Sequence, residues 1–231
     1  MTFIRSTLFA LWFFVVSAVI HIALLPTLLL PRRHAVAVSK FWVRTIFFGV
    51  KWIAGIRFEV RGQEFIPDGA ALIAAKHQSA WETLAFTALL RDPAIVLKRE
   101  LVWIPLFGWY ITKIGTIPID RASGGAAIRK MVKAAQRAIA DNRQVMIFPE
   151  GTRRKPGAPP EYKIGVASLY SQLKVPCVPV ALNSGLHWQG FWKVPGTIVV
   201  EFLPPIRPGL KRDAFMTRLE GAIETASNRL S

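Results

Sequence analysis

The residues most suited to chemistry in this chain of 231 residues are a histidine and a carboxylate five positions apart, within AAKHQSAWETLAF at 74–86. His77 and Glu82 stand in a small, apolar neighbourhood. A carboxylate there can fix the imidazole tautomer and stabilise its protonated form, as a general base requires. A lone histidine beside an apolar strand is more often structural, so this stretch leaves both interpretations open.

A second unusual run is FPEGTR at 148–153, where a glycine lies between a carboxylate and an arginine. Gly151 would let the main chain approach a ligand closely. The planar guanidinium of Arg153 suits a phosphate group. The alternative is an ordinary turn shaped by proline and glycine, with solvated charges.

Two further cationic clusters follow predicted strands. GTIPIDR at 115–121 ends in Arg121, and LKRE at 97–100 contains Lys98 and Arg99. Each cluster by itself is typical of surface charge. Because clusters that follow parallel strands meet at one edge of a sheet, the three together predict an anion site.

These residues need a scaffold, and the chain after about residue 57 has the pattern of one. Short β-rich runs alternate with helical periods, which predicts an α/β class: a single domain with a largely buried sheet flanked by helices. Strands are predicted at 57–62, 70–76, 94–98, 115–120, from 144, and at 177–182 and 196–203, and helices at 80–90, 124–142, 164–173 and 211–229. His77 then falls where a strand ends and a helix begins, facing a ligand crevice.

The first part of the chain predicts attachment to a membrane. Residues 6–31 contain no formally charged side chain and exceed the roughly 20 apolar residues needed to cross a bilayer. A secretory signal is the alternative, because AVA at 35–37 resembles a cleavage site, but a signal core has only about 7–15 apolar residues. We favour a retained anchor, which either spans the bilayer or kinks at Pro26 and re-enters.

The next segment, 40–56, places its three basic residues near one helical face, which is typical of a helix lying in the membrane interface. Basic residues also cluster just after the first apolar run. The positive-inside rule therefore places the body at the cytoplasmic face of the inner or plasma membrane. We divide the chain into membrane-anchoring helical segments at 1–56 and a catalytic domain at 57–231.

The composition of the chain also favours a membrane as its binding partner. Thirty Lys and Arg against 14 Asp and Glu give a net charge of +16, and 52% of the residues are hydrophobic. That combination favours anionic membrane lipid over nucleic acid, since each basic residue near such lipid gains about 1 kcal/mol. The single cysteine, Cys177, is predicted to be a small core residue. Four scattered histidines form no recognisable metal site.

Four blocks in one order, KHQSAWE, LKRELVWIPLFGWYITKIGTIPIDR, FPEGTR and VPCVPVAL, make residues 58–203 resemble the glycerolipid acyltransferase family. The resemblance is to its 1-acylglycerol-3-phosphate acyltransferases, which make phosphatidic acid in phospholipid biosynthesis. It implies that a fatty acyl group passes from acyl-CoA or acyl carrier protein to the sn-2 hydroxyl of lysophosphatidic acid. No cofactor beyond that thioester is implied.

The same resemblance assigns roles to individual positions. His77 corresponds to the family's general base and Glu82 to its partner acid. Acceptor binding is implied for positions in the remaining blocks, namely Lys98, Arg121, Glu150, Gly151, Thr152 and Arg153.

Two positions depart from the family pattern. Glu82 stands where aspartate is usual, which adds a methylene between helix and histidine. Lys76 stands where asparagine is frequent, and it either adds a cation to the phosphate site or points away. The alternatives to acylation of lysophosphatidic acid are acylation of another lyso-lipid, such as lyso-ornithine lipid, and a non-catalytic lipid-binding role at the membrane surface.

Overall fold

The computed structural model describes residues 1–120 and 123–230. Its first elements are two long helices, α1 at Thr2–Ala23 and α2 at Arg32–Trp52. A short 3-10 helix at Leu25–Leu29 joins them, with a proline near its start. Proline removes a main-chain donor and ends the α-helix there. The predicted apolar segment at 6–31 is therefore interrupted rather than continuous.

The rest of the described chain alternates strands and helices. The strands are β1 Ile56–Arg61, β2 Ala71–Ala75, β3 Pro93–Lys98, β4 Ile117–Ile119, β5 Gln144–Ile147, β6 Cys177–Leu182, β7 Trp188–Gln189, β8 Trp192–Lys193 and β9 Gly196–Phe202. The helices are α3 Trp81–Leu89, α4 Phe107–Lys113, α5 Gly124–Ala140, α6 Gly165–Leu173, α7 Ser184–His187 and α8 Arg212–Arg229. The predicted strands and helices are present, whereas α4, α7 and the β7–β8 hairpin were not predicted.

Within the described residues, seven strands form one sheet in the order β1-β9-β6-β2-β5-β3-β4. Strands β6, β2, β5, β3 and β4 run parallel to one another. Strand β9 pairs antiparallel with β6 and parallel with β1. The carboxyl ends of the five parallel strands thus share one edge, which is where ligands bind in α/β sheets.

Apolar residues pack on both faces of the sheet. Adjacent residues of a strand point to opposite faces, so Ile73 lies in the same cluster as Ile46 of α2, and Leu72 lies with Phe215 of α8. Strands β2, β5 and β6 are buried along their whole length. The predicted α/β domain with a largely buried sheet is confirmed, and α2 packs directly onto its core.

Candidate active site

The predicted histidine–carboxylate pair meets just beyond the end of β2. Glu82 lies in the first turn of α3, and its side chain turns back towards the preceding loop. Its Oε1 accepts a hydrogen bond from His77 Nδ1 at 3.0 Å and from the main-chain N–H groups of Gln78 and Ser79, both at 2.6 Å. The glutamate, one methylene longer than aspartate, therefore reaches the imidazole directly.

The other oxygen of the same carboxylate is held by hydroxyl groups. Oε2 of Glu82 accepts from Ser79 Oγ at 2.6 Å and from Ser184 Oγ at 2.7 Å. Burial would raise the pKa of Glu82, but hydrogen bonding and charge attraction from His77, with hydrogen bonds from Ser79, lower it below its ordinary value. Since an ionised carboxylate can only accept, Nδ1 of His77 carries the hydrogen and Nε2 is the nitrogen able to take a proton.

His77 and Glu82 differ in how much of each side chain is exposed. The His77 side chain exposes 11% of its surface, whereas Glu82 exposes none. The imidazole also lies nearly flat against Phe148, with ring centroids 4.0 Å apart and planes inclined by 18°. A reactant can therefore reach the imidazole, while the carboxylate behind it is shielded from water.

The FPEGTR turn follows β5, the strand next to β2, and is joined to the histidine through main-chain groups. Glu150 Oε2 accepts the His77 N–H at 3.1 Å, and the Arg154 N–H donates to the His77 carbonyl at 2.8 Å. Gly151 has φ +67°, a conformation that favours glycine. The predicted base and the predicted acceptor-binding turn are therefore held as one unit.

The side chains of Glu150 and Lys76, next to these main-chain hydrogen bonds, both point into the protein. Both oxygens of Glu150 are engaged, since Oε1 accepts from Lys76 Nζ at 2.9 Å. Lys76 also bonds Glu224 and is 3% exposed, so of its two predicted alternatives it points away into the protein. The Glu150 side chain braces the turn from inside, so the prediction of acceptor binding at this position now concerns the turn and not the carboxylate itself.

The predicted phosphate-binding cations are spread along the edge of the sheet. Thr152 and Arg153 are exposed in the turn after β5. Lys98 is exposed at the end of β3 and pairs with Glu100 at 3.3 Å. Arg121 lies outside the described residues. Strand spacing of about 4.8 Å puts β3 roughly 10 Å from β2, so Lys98 flanks the site rather than contacting the base.

Ser184 is a site residue that was not predicted. It follows β6, the other neighbour of β2, and lies 102 positions from the glutamate it contacts. The VPCVPVAL strand before it carried the only sequence signal. Cys177 of that strand is fully buried, as expected of a core residue. Among the described residues, no group of three or more His, Cys, Asp or Glu side chains is placed to hold a metal ion.

A parallel sheet edge with a largely buried but not fully enclosed imidazole, a buried carboxylate hydrogen-bonded to it and a glycine turn is a site suited to general-base transfer onto a hydroxyl. A family model described as Acyltransferase matches residues 57–183. The chain belongs to this acyltransferase family, and its predicted family membership is confirmed.

Two relatives are 1-acyl-sn-glycerol-3-phosphate acyltransferases. The chain is 36% identical over 181 residues to the 1-acyl-sn-glycerol-3-phosphate acyltransferase of Pseudomonas aeruginosa, covering 78% of this chain and 70% of that protein. It is 34% identical to the mouse 1-acyl-sn-glycerol-3-phosphate acyltransferase alpha, over 71% of this chain and 60% of the mouse protein.

A solved structure matches the whole fold. The crystal structure of the 1-acyl-sn-glycerophosphate (LPA) acyltransferase PlsC from Thermotoga maritima superposes with a TM-score of 0.83 at 21% identity. The match covers 100% of this chain and 98% of that one. The two proteins therefore share one architecture, including the N-terminal helices.

Proposed function

We propose that this protein transfers a fatty acyl group from a thioester to the sn-2 hydroxyl of 1-acyl-sn-glycerol 3-phosphate, giving phosphatidic acid. The single observation that carries the proposal is the His77–Glu82 pair. Nδ1 of His77 lies 3.0 Å from Glu82 Oε1 and donates to it, which leaves Nε2 free to accept a proton. The names of the bacterial and mammalian relatives support the same activity.

The chemistry follows from that geometry. His77 Nε2 takes the hydroxyl proton as the oxygen attacks the thioester carbonyl, and Glu82 stabilises the imidazolium that forms. The carbon–sulfur bond then breaks, and the thiolate leaving group recovers the proton from the imidazolium. The thioester is already activated, so no covalent enzyme intermediate is needed, and general-base catalysis of this kind contributes about 10²–10⁴ in rate.

The acceptor's phosphate would meet the exposed cations of the same edge. Arg153 is exposed in the turn after β5, which the Arg154 N–H joins to the His77 carbonyl, and its guanidinium can bind two phosphate oxygens at once. We expect Arg153→Ala to raise the KM for lysophosphatidic acid with little change in kcat. A lyso-lipid without phosphate would show no such dependence, which distinguishes the alternative acceptor.

The first helix supports association with a membrane. By length and composition, α1 is long and apolar enough to cross one. It also packs along the body: the Lys193 N–H donates to Ser6 Oγ, Phe9 meets Trp188 edge-on, and Trp42 donates to Ser17 Oγ.

Contacts spread over that length favour a helix lying against both body and bilayer. Its outward side exposes Leu8, Leu11, Phe14, Val15, Val19 and Ile22. We infer that α1 rests in the membrane interface through this side and holds the catalytic edge near lipid-borne acceptor, on the cytoplasmic face. Its apolar area provides the main attraction and the net positive charge of the chain adds to it.

The membrane arrangement can be tested by fluorescence, because the only native cysteine, Cys177, is buried. A polarity-sensitive label at Leu11→Cys should shift to the blue with vesicles that contain phosphatidylglycerol. The same label at Asp213→Cys, an exposed position on α8, should not shift. Equal responses at both sites would contradict a membrane face built on α1.

Activity is tested with purified protein in detergent. Lysophosphatidic acid and lyso-ornithine lipid are each offered with acyl-CoA and with acyl carrier protein, and products are identified by mass spectrometry. We expect phosphatidic acid from at least one donor, lost in His77→Ala and kept in His34→Ala, a histidine on α2 away from the site. Undiminished transfer in His77→Ala would overturn the mechanism, and exclusive acylation of the phosphate-free lipid would overturn the substrate.

A further inference from the structure

A buried ionic cluster lies directly behind the catalytic base. Lys76 Nζ donates to Glu150 Oε1 at 2.9 Å and to both oxygens of Glu224, at 2.8 and 2.9 Å. An ammonium group has three N–H donors, so each has an acceptor. The side chains of Lys76 and Glu150 are 3% and 0% exposed, and Glu224 is 18% exposed. Charges this deeply buried are kept only where they are paired.

The cluster joins parts of the chain that are far apart in sequence. Lys76 directly follows β2, Glu150 lies in the turn after β5, and Glu224 belongs to the C-terminal helix α8. The Tyr162 hydroxyl donates to Glu224 Oε1 at 2.8 Å and ties in the end of the loop at 153–163. Burial, with the nearby Glu224, raises the pKa of Tyr162, so this hydroxyl stays a neutral donor.

This cluster leads to the catalytic residue by one further hydrogen bond. Oε2 of Glu150 accepts the His77 N–H at 3.1 Å, while Oε1 is held by Lys76. The carbonyl of His77 accepts the N–H of Arg154, which fixes the turn that carries Arg153. A shift of the Glu150 carboxylate therefore moves the main chain of the base and the predicted phosphate-binding turn together.

We propose that Lys76, held by Glu224 of α8, is a positioning residue. It keeps the Glu150 carboxylate hydrogen-bonded to the main-chain N–H of His77, and so it fixes the position of the base relative to the acceptor-binding turn. The proposal rests on the function proposed above. It gives the C-terminal helix a part in catalysis through Glu224. It also gives a role to the lysine that stands where the family frequently has asparagine.

The first test removes one charge and keeps the shape. Glu224→Gln retains an oxygen for Lys76 and for Tyr162 but weakens the hold on the ammonium. We expect kcat/KM for lysophosphatidic acid to fall at least tenfold, mainly through a higher acceptor KM, with the thioester KM within twofold of wild type. The matched control is Asp213→Asn, in the exposed first turn of α8, which makes the same charge change away from the cluster and should stay within twofold.

The second test uses the coupling between the two charges. Lys76→Asn alone leaves two carboxylates without their shared cation, and we expect at least a 100-fold loss of kcat/KM. Adding Glu224→Gln to Lys76→Asn should raise kcat/KM at least tenfold again, because one of the two mutually repelling carboxylates has lost its charge. The same change is thus harmful beside the lysine and helpful without it. Kinetics are taken at a temperature where circular dichroism shows each protein to be folded.

The outcomes separate this proposal from a purely structural role. Wild-type kinetics for Glu224→Gln, with only a lower melting temperature, would overturn it, and so would additive effects in the double variant. If Lys76→Asn does not fold, Glu224→Gln and its control decide the question. An inactive wild-type protein would sink the proposed function, whereas an active wild type with an unaffected Glu224→Gln would sink only the positioning role.

Discussion

Replacing Glu82 with glutamine separates the charge of the partner acid from its shape. Five donors converge on this carboxylate: the imidazole, two main-chain N–H groups and two hydroxyls. In Glu82→Gln the amide oxygen can take the place of Oε1 and still accept from His77. The amide NH₂ then meets the hydroxyls of Ser79 and Ser184, which can rotate to accept. The variant should therefore fold.

The magnitude follows from the contacts that lose their charge. A hydrogen bond to a charged group contributes about 1.5–3 kcal/mol and a neutral one about 1 kcal/mol, so weakening three N–H contacts at Oε1 should lower the free energy of unfolding by about 1.5–6 kcal/mol. A loss of imidazolium stabilisation within this range in the transition state lowers kcat by about 10–10⁴, at 1.36 kcal/mol per factor of ten. The acceptor KM should change less than twofold, because Glu82 exposes no surface.

The assay is steady-state formation of phosphatidic acid, with lysophosphatidic acid varied at saturating thioester and thermal unfolding followed in parallel. Glu64→Gln, an exposed carboxylate in the turn at Gln63–Phe65, controls for the loss of one negative charge. The reasoning is refuted if folded Glu82→Gln keeps kcat within threefold of wild type. It is also refuted if the whole loss is in the acceptor KM.

Three further predictions concern Glu82, Gly151 and Lys193. Glu82→Asp keeps the charge but withdraws it by about 1.5 Å, so its kcat should fall between those of wild type and Glu82→Gln, and wild-type kcat would show that the 3.0 Å contact is not needed. Gly151→Ala meets no close atom but requires φ +67°, so thermal unfolding should show a loss of about 1 kcal/mol, whereas Gly221→Ala, in open helical space, should show none. Burial lowers the pKa of Lys193 to about 8, against about 10.4 when unfolded. The unfolded chain then binds more protons between these values, so denaturant titrations should show stability rising by about 1.5 kcal/mol from pH 8 to 10.5, halved for partial solvent screening. Lys193→Met should lack this rise, and an equal rise would contradict it.

The local parts of the site could be predicted because their causes are local. His77 and Glu82 are five positions apart, and a strand followed by a helix brings such residues together without help from the rest of the chain. Gly151 likewise marked a turn, and the structure gives it φ +67°. The alternation of β-rich and helical runs identified the α/β sheet for the same reason, since periodicity is a property of short segments.

Long-range partners could not be predicted. Ser184 and Glu224 reach the site from positions 102 and 148 residues away from their partners, and only the strand order places β6 and β5 on either side of β2. The apolar run of α1 was recognised, but the hairpin that it packs against was not. Strands of two residues, such as β7 and β8, carry no periodic signal.

The order of strands also ranks the cations by distance from the reaction. Four bonds separate the sn-2 oxygen of the acceptor from its phosphorus atom, a span of about 5 Å at roughly 1.5 Å per bond with ordinary angles. One strand spacing is about 4.8 Å, so a phosphate whose neighbouring hydroxyl meets His77 can reach the turn after β5. Arg153 stands there, whereas Lys98 is one strand further away. The predicted base and the predicted phosphate-binding Arg153 therefore follow adjacent strands, and the hydrogen bonds of the His77 main chain to Glu150 and Arg154 keep that spacing constant.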